Sequence, residues 1–127
     1  MRAVLLLWMV FSSMAFSDIK VMISNEHRLI SVSHQKLADL YLGKIDSING
    51  IKVIPIDNKE SYTEFYKQII KKSPKQMKEY WMREMYEGNR IPPKKMSTKE
   101  IKRIMKHRKV IAYGRTKLDG TIVMKIN

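Results

Sequence analysis

Cysteine is absent from the 127 residues of the chain. Its absence excludes a disulfide framework, a thiolate metal site and a cysteine nucleophile. The folded chain must therefore hold itself together by packing alone. A sequence of this length is normally one domain, with a core that is real but not large. Aliphatic and aromatic residues are plentiful enough for such a core, so the composition argues against disorder.

Acidic residues are scarce, with 12 aspartates and glutamates against 25 lysines and arginines, and the formal net charge is +13. An excess of this size has two interpretations. It can form a surface for nucleic acid or another anionic ligand, or it can be a solvated, lysine-rich exterior. Most of the excess is lysine spread along predicted helices, and this distribution favours the solvated exterior.

Long apolar runs are also absent, except for one at the start of the chain. Residues 3–11 (AVLLLWMVF) follow a single positive charge and are too short to span a bilayer as a stable helix. Small residues come directly after them, which predicts that residues 1–17 are a cleaved signal peptide. We favour cleavage after Ser17 over cleavage after Ala15, and an uncleaved N-terminal anchor is the alternative. The prediction places a mature domain, residues 18–127, in the periplasm, where nucleic acid is not an expected partner.

Sequence patterns of catalysis are missing as well. There is no glycine-rich phosphate loop and no serine nucleophile elbow. The histidines, His27, His34 and His107, have no other histidine or carboxylate at a spacing that builds a metal site. Glu60 and Glu64 share a predicted helix face with lysines nearby, which indicates surface ion pairs. We therefore expect a non-catalytic protein without a metal or a cofactor.

Helical periodicity and capping residues predict four helices. One of them, residues 62–70, carries the clearest apolar stripe of the chain, at spacing i, i+3, i+4, i+7 and i+8. Each of the others starts at a serine that can cap free backbone N–H groups, namely Ser33, Ser73 or Ser97. The first two of these end at a glycine, Gly43 or Gly88. The predicted apolar face of the Ser73 helix consists of Met77, Tyr80, Trp81 and Met85.

Alternating apolar residues and turn signals predict four strands. These are residues 18–24, 51–56, 110–113 and 121–126. Asn49-Gly50 and Asp119-Gly120 are strong turn signals, and residues 90–96 are predicted to be a loop stiffened by two prolines. This order of elements predicts an α/β fold with at least one parallel crossover, in which the last two strands could pair as a hairpin.

Two of the predicted helix starts could bind an anion. Free backbone N–H groups, the helix dipole and serine or threonine hydroxyls together hold phosphate or sulfate. The first start contains Ser31 and Ser33. The second start contains Asn58, Lys59, Ser61, Tyr62 and Thr63. Ordinary helix capping is the alternative at each of them.

A series of short motifs runs through the chain in a specific order. They are LADLYLGK at 37–44, VIPID at 53–57, Phe65-Tyr66, Ser73-Pro74-x-Gln76, Tyr80-Trp81, Gly88 followed by Pro92-Pro93, and VIAYG at 110–114. In this order and spacing they resemble the motifs of the short phosphate-transporter-type periplasmic substrate-binding proteins, which have the type 2 periplasmic-binding fold. The resemblance covers about the whole predicted mature chain.

The resemblance implies a single three-layer α/β lobe of the type 2 periplasmic-binding-protein kind. It also implies non-catalytic binding of a small oxyanion, phosphate or sulfate, and a membrane transporter or envelope protein as partner. A single lobe offers only half a cleft, so the resemblance adds a homodimer to these expectations. The alternatives are a basic module that binds anionic polymer through residues 94–109, and a ligand-free interaction protein that retains the fold.

The chain departs from the family pattern in the segment that corresponds to the oxyanion site. Tyr62 stands at the position that is usually arginine, and Glu60 adds a negative charge. Lys59 could supply a cation there, but a lysine cannot make the bidentate contact of an arginine. The expected ligand site is therefore the start of the Tyr62 helix, with a point charge in place of a guanidinium.

The signal peptide is tested by the intact mass of the protein from the envelope fraction. Cleavage after Ser17 predicts a mass that starts at Asp18, because small residues follow the apolar run directly. A mass that still includes Met1 to Phe16 would contradict the prediction.

Overall fold

A computed structural model describes residues 18–24 and 31–126 of the chain. The predicted signal peptide and His27 lie outside the described residues. The strands are β1 (Ile19–Ile23), β2 (Ser47–Ile48), β3 (Ile51–Lys52), β4 (Ile54–Asn58), β5 (Lys94–Met96), β6 (Val110–Gly114) and β7 (Thr121–Ile126). The helices are α1 (His34–Tyr41), α2 (Tyr62–Phe65), α3 (Pro74–Tyr86) and α4 (Thr98–Met105), and α2 continues into a π-helical segment (Tyr66–Ile70). Within the described ranges, no helix combines the length and the apolarity needed to cross a bilayer.

Serines begin three of the helices, as the sequence predicts. The hydroxyls of Ser33 and Ser97 each accept the backbone N–H three residues further along. Ser73 forms a full capping box with Gln76, in which each side chain accepts the backbone N–H of the other residue. These caps pair backbone groups that have no partner inside the helix. After α1, Gly43 takes the left-handed conformation, φ +75°, that stops the helix.

Five strands form one mixed sheet in the order β5-β4-β6-β1-β7. Strands β4, β5 and β6 are parallel, and β1 runs antiparallel to both of its neighbours. The chain passes from β4 to β5 through α2, the π segment and α3, and from β5 to β6 through α4, as parallel pairing requires. Strands β2 and β3 form a separate hairpin around Asn49-Gly50. The predicted α/β fold with parallel crossovers is confirmed.

The last two strands do not pair with each other, so the predicted hairpin is wrong. Strand β1 lies between them, and Val21 pairs with Tyr113 of β6 on one side and with Met124 of β7 on the other. The segment before β7 instead carries the chain past the end of β1. A β-carbon on Gly120 would lie 2.6 Å from the carbonyl oxygen of Ile23, so the close approach requires a glycine there.

The predicted strand at residues 51–56 is two strands, β3 and β4. The break falls at Val53, whose N–H donates to the carbonyl of Asp46 at 3.3 Å. Strand β4 then continues to Asn58, two residues beyond the predicted end. The extension matters for function, because it puts polar residues at the end of a central strand.

Strand β5 lies within residues 90–96, which the sequence predicts as a loop. It pairs in parallel with the second half of β4, from Ile56 onward. Pro55 fits this arrangement because β5 does not reach it, so no strand on that side needs the N–H that proline lacks. The two prolines before β5 hid the short strand from pattern reasoning.

The predicted stripe at residues 62–70 forms one continuous helical stretch, of which the second part is π-helical. The N–H of Lys71 donates to the carbonyl of Tyr66 at 2.7 Å, the i to i−5 bond of a wider helix. Lys71 itself is left-handed, with φ 64°, and the stretch ends there. Four residues of the predicted stripe are buried, Phe65, Tyr66, Ile69 and Ile70, whereas Tyr62 at its start is half-buried.

Helices cover both faces of the sheet. On one face α1, the π segment and α3 pack against β1 and β6, and the buried side chains include Leu37, Tyr41, Phe65, Met77, Trp81, Val21, Ile111 and Tyr113. On the other face α4 packs against the sheet through Ile101, Met105, Met22, Ile56 and Ala112. Alternate residues of β6 therefore face two different cores, which explains why that strand is apolar throughout.

Helix α3 buries Met77 and Trp81, as predicted, and Tyr80 of the same predicted face is half-buried. Met85, predicted on the same face, is exposed, and Glu84 is buried in its place. The carboxylate of Glu84 lies 3.4 Å from the guanidinium of Arg90. A buried acid is tolerated where such a partner reaches it, and a partner from the following loop is not visible in the helical periodicity.

Replacement of Trp81 tests the packing of α3. We expect Trp81→Ala to lower the free energy of unfolding by about 3–5 kcal/mol, because the ring is buried in the main core. Met82→Ala, one residue away on the exposed side, should change it by less than about 0.5 kcal/mol. Urea denaturation of both variants measures the difference, and equal midpoints would show that the Trp81 ring is not packed.

Candidate functional site

The carboxyl ends of β4, β5 and β6 lie at one edge of the sheet, because the three strands are parallel. Helix α2 starts after β4, and α4 starts after β5. In open α/β sheets, ligands gather at this edge, where strands end and helix N-termini point outward. The second predicted helix start, Asn58 to Thr63, lies here.

Asn58 joins the ends of two strands to a helix. Its side-chain amide donates to the carbonyl of Tyr113 at 2.9 Å and to the hydroxyl of Thr98 at 3.1 Å. Its side-chain oxygen accepts the backbone N–H of Glu60 at 2.9 Å. The β-carbon that Gly114 lacks would lie only 3.0 Å from the same amide. All polar atoms of the Asn58 side chain are thus engaged within the protein, so Asn58 shapes the site rather than offering a free donor.

Glu60 does not form the surface ion pair that the sequence predicts. Its carboxylate accepts the backbone N–H of Thr98 at 3.1 Å and the Thr98 hydroxyl at 2.8 Å. Thr98 is the first residue of α4, so the chain places its own anion at that helix start. The charge of Glu60 is therefore held at α4 and is not directed at the start of α2.

The start of α2 has backbone donors and a hydroxyl to offer. The first intrahelical bond runs from the N–H of Phe65 to the carbonyl of Ser61 at 3.0 Å, so the N–H groups before Phe65 lack a helical acceptor. Ser61 is 2% exposed, and its hydroxyl is the one buried side-chain polar atom of the described residues that has no hydrogen-bond partner. A buried hydroxyl without a partner costs free energy, so the Ser61 hydroxyl has a donor to offer to a ligand at this helix start.

Two lysines and a tyrosine complete the rim. The backbone N–H of Lys59 donates to the carbonyl of Met96, while its side chain is exposed. The ammonium of Lys95 lies 3.9 Å from the centre of the half-buried Tyr62 ring, in cation–π contact. Thr63 is exposed. The structure thus brings together the five predicted residues of the second start and adds Lys95 from β5.

Asp57, the last residue of the VIPID motif, is the buried centre of this edge. Its two carboxylate oxygens accept the hydroxyls of Tyr113 at 2.8 Å and Tyr66 at 2.9 Å. The Tyr66 ring stacks on Tyr62 with 4.3 Å between ring centres. The available signal was an acid directly after the apolar run VIPI, since an acid that continues a buried strand needs partners.

Burial determines the protonation of this cluster. Desolvation raises the pKa of Asp57 to about 7, against the lowering effect of the Tyr113 and Tyr66 hydroxyls and of the Lys95 charge. Desolvation, and after it the charge of Asp57, raises the pKa of Tyr62 to about 12 and holds those of Tyr66 and Tyr113 far above their ordinary range. The tyrosines therefore remain neutral donors, and Asp57 titrates near neutral pH.

The first predicted start, Ser31 and Ser33, is not part of this site. Ser31 is exposed in the segment before α1, and the hydroxyl of Ser33 accepts the backbone N–H of Lys36 as a cap. The side chain of Lys36 in turn contacts Asn49 in the β2–β3 turn. Ser33 is thus an ordinary helix cap, and the anion-binding prediction at this start gains no support from its contacts.

Metal-ligating residues do not converge in the described part of the chain. Within it, no group of three or more histidines, aspartates and glutamates could hold a metal ion. His34 and His107 are exposed, at the start of α1 and after the end of α4.

Comparison with known proteins returned no matching family model, no matching curated sequence and no matching solved structure. The likeness to periplasmic substrate-binding proteins therefore rests on the sequence motifs alone.

The raised pKa of Asp57 predicts how stability depends on pH. The folded protein binds this proton more tightly than the unfolded chain, so the contribution is greatest below the ordinary value of 3.8 and is lost as pH rises to about 7. Between roughly pH 4.5 and pH 7.5, wild type should lose on the order of 3 kcal/mol more than Asp57→Asn, which cannot ionise.

Denaturation with urea at the two pH values measures this difference. Asp46→Asn, at an exposed position, is the matched control and should follow wild type. If Asp57→Asn and wild type lose the same free energy over this interval, the Asp57 carboxyl is ionised throughout and the assignment is wrong.

Proposed function

We propose that this chain is an exported, non-catalytic binding protein for a small oxyanion, phosphate or sulfate, held at the start of α2. The observation that carries the proposal is the hydroxyl of Ser61, which is buried without a partner beside backbone N–H groups that have no helical acceptor. Oxyanion oxygens accept from both kinds of donor. The sequence motifs that resemble phosphate-type substrate-binding proteins support the same ligand class.

The charges around the site are compatible with an anion. Lys59 and Lys95 supply positive charge at the rim, and neither is held in an ion pair among the described residues. Glu60 is bound to Thr98, and Asp57, with its pKa raised to about 7, carries less than a full negative charge near neutral pH. An anion at Ser61 therefore meets less repulsion than the count of acidic residues suggests.

Location and partners belong to the same proposal. The leader-like residues 1–17 support export to the periplasm, and the motifs support a lobe of the type 2 periplasmic-binding kind, on which helices cover both faces of a mixed sheet. One lobe leaves its ligand open to water on one side. A second copy of the chain, or a transporter or envelope protein, would close such a half-cleft.

A second candidate function rests on a different surface. The cations of β5, α4 and the residues that follow are exposed: Lys94, Lys95, Lys99, Lys102, Arg103, Lys106, Arg108 and Lys109. Lys106 approaches Asp119 at 4.0 Å, a weak and exposed pair. Such a surface suits an anionic polymer, whose affinity falls steeply with salt because binding releases counterions.

Calorimetric titration with phosphate and with sulfate tests the oxyanion site. Wild type should give saturable binding that Lys59→Ala/Ser61→Ala abolishes, because the double variant removes the free hydroxyl and one cation. Lys44→Ala/Ser47→Ala, with the same two replacements away from the site, should bind like wild type.

Ser61→Ala alone should not lower the free energy of unfolding, whereas Ser97→Ala should lower it by about 1 kcal/mol, because only the Ser97 hydroxyl caps its helix.

Two outcomes would contradict the proposal: no heat with millimolar anion, or binding that is indifferent to the Lys59/Ser61 replacements. Titration with polyphosphate at low and moderate salt distinguishes the second candidate. Polymer binding with a steep salt dependence, lost in Lys102→Ala/Lys106→Ala and retained in Lys59→Ala/Ser61→Ala, would favour the basic surface.

A further inference from the structure

An apolar groove lies beside the amino ends of β4 and β5, at the opposite end of these strands from Ser61. Its volume is about 390 Å³, within the range of small-molecule sites, roughly 300–1,000 Å³. Its walls come from the end of α1, residues 54–56 of β4, residues 91–93, Met96 of β5 and Ile104 of α4. Ile54 and Asn58 are four residues apart, about 13 Å along an extended strand, so the groove and the oxyanion site are separate.

The mouth of the groove exposes apolar surface to water. Ile54 is 47% exposed and Ile91 is 81% exposed. Two consecutive prolines, Pro92 and Pro93, form part of one wall and stiffen it, since each fixes its own backbone φ. A stiff apolar groove with an exposed apolar mouth is the surface that an apolar ligand would cover.

The charged side chains of the groove are both cationic. Its lining includes Lys94 and Arg108 and no carboxylate, and neither cation has an ion-pair or hydrogen-bond partner among the described residues. A smaller cavity of about 280 Å³ continues from Arg108 past Arg103 and His107. It does contain Glu100, but that carboxylate lies 3.2 Å from the hydroxyl of Ser97. The groove therefore combines apolar walls with two positive charges and no negative charge.

An extended peptide is a poor fit to this groove. A peptide that adds to a strand needs alternating backbone donors and acceptors along the free edge. The stretch of β4 that β5 leaves uncovered contains Pro55, which has no N–H to give. The opposite wall has Pro92 and Pro93, which lack the donor as well. An acyl chain forms no hydrogen bonds with the backbone, so walls that lack free donors suit it.

We propose that the groove binds a free anionic amphiphile with a single acyl chain. The chain lies between α1, β4 and the two prolines, where it covers Ile54 and Ile91. The carboxylate lies at Arg108 and Lys94, which give it charge-assisted hydrogen bonds. The inference is independent of the oxyanion proposal, because no residue of the Asn58–Thr63 segment lines the groove.

Dodecanoate, below its micelle concentration, is the probe, and two-dimensional amide NMR on the full chain is the readout. Binding should be saturable and should shift the amides of residues 54–56 and 104–108. Ile54→Glu should weaken it by at least about tenfold, because a carboxylate then faces the acyl chain. Arg108→Glu should weaken it by about threefold to tenfold, the range of a partly exposed ion pair.

Matched controls separate the groove from general charge. Ile122→Glu, on an exposed strand position of β7, and Lys117→Glu should each leave binding within about twofold of wild type. Dodecyltrimethylammonium, with the same chain and a positive head, should bind at least about tenfold more weakly than dodecanoate, because its head faces Arg108 and Lys94.

Several results would overturn the proposal. They are the absence of saturable dodecanoate binding, equal effects of Ile54→Glu and Ile122→Glu, and equal affinity for the two head groups. Binding of anionic vesicles, or of an acidic peptide, at these amides without dodecanoate binding would also overturn it, since the occupant would then be a membrane surface or a protein.

Discussion

The arrangement of this fold depends on the hydrogen bonds that the buried carboxyl group of Asp57 accepts. An acid in an apolar interior is costly unless its oxygens are hydrogen-bonded, and here both oxygens accept tyrosine hydroxyls, from Tyr113 of β6 and Tyr66 of the π segment. A third tyrosine, Tyr41 of α1, donates to the carbonyls of Ile56 and Ile111. These hydroxyl groups hold β4 and β6 in one position relative to α1 and the π segment. The aromatic rings pack between these elements. The rings of Phe65 and Tyr113 lie parallel, 3.7 Å apart at their centres.

The two ends of the parallel strands have opposite chemistry. At the carboxyl ends the chain collects polar groups. Asn58, Glu60 and Thr98 are hydrogen-bonded to one another, whereas the buried hydroxyl of Ser61 has no partner. At the amino ends the walls are aliphatic side chains and prolines, and the cations stand at the rim. Part of the difference follows from the direction of the strands, because α2 and α4 begin at the carboxyl ends of β4 and β5 and bring helix N-termini with free N–H groups there.

The contact between Glu60 and Thr98 removes one objection to the sequence resemblance. From the sequence alone, Glu60 in the expected oxyanion segment would oppose phosphate binding, because its negative charge would repel the anion. In the structure the acid occupies the start of α4, where a helix N-terminus stabilises negative charge. Of the two helix starts at this edge, one is thus filled by the chain itself and the other retains unpaired donors. The net charge of +13 acts over longer distances and favours the approach of anions over that of cations.

Sequence reasoning succeeded where the determining contacts lie within a few residues. The caps at Ser33, Ser73 and Ser97, the stop at Gly43 and the buried stripe before Lys71 all depend on neighbours within one or two helical turns, so their residue types are sufficient to predict them. The residues of the second helix start could also be grouped from sequence, because all five lie between Asn58 and Thr63.

Tertiary structure alone decided the features whose partners are remote in sequence. The place of β1 between β6 and β7, the short strand β5, the tyrosine partners of Asp57 and the binding of Glu60 to Thr98 each join segments that a local pattern treats as independent. Strand pairing and buried polar contacts are chosen by the packing of the whole domain, since a strand offers two edges and a buried acid accepts any donor that reaches it. For this reason the sequence determined the helices and the fold class. Only the folded chain determined which end of the parallel strands holds the unpaired Ser61 and which end holds the apolar groove.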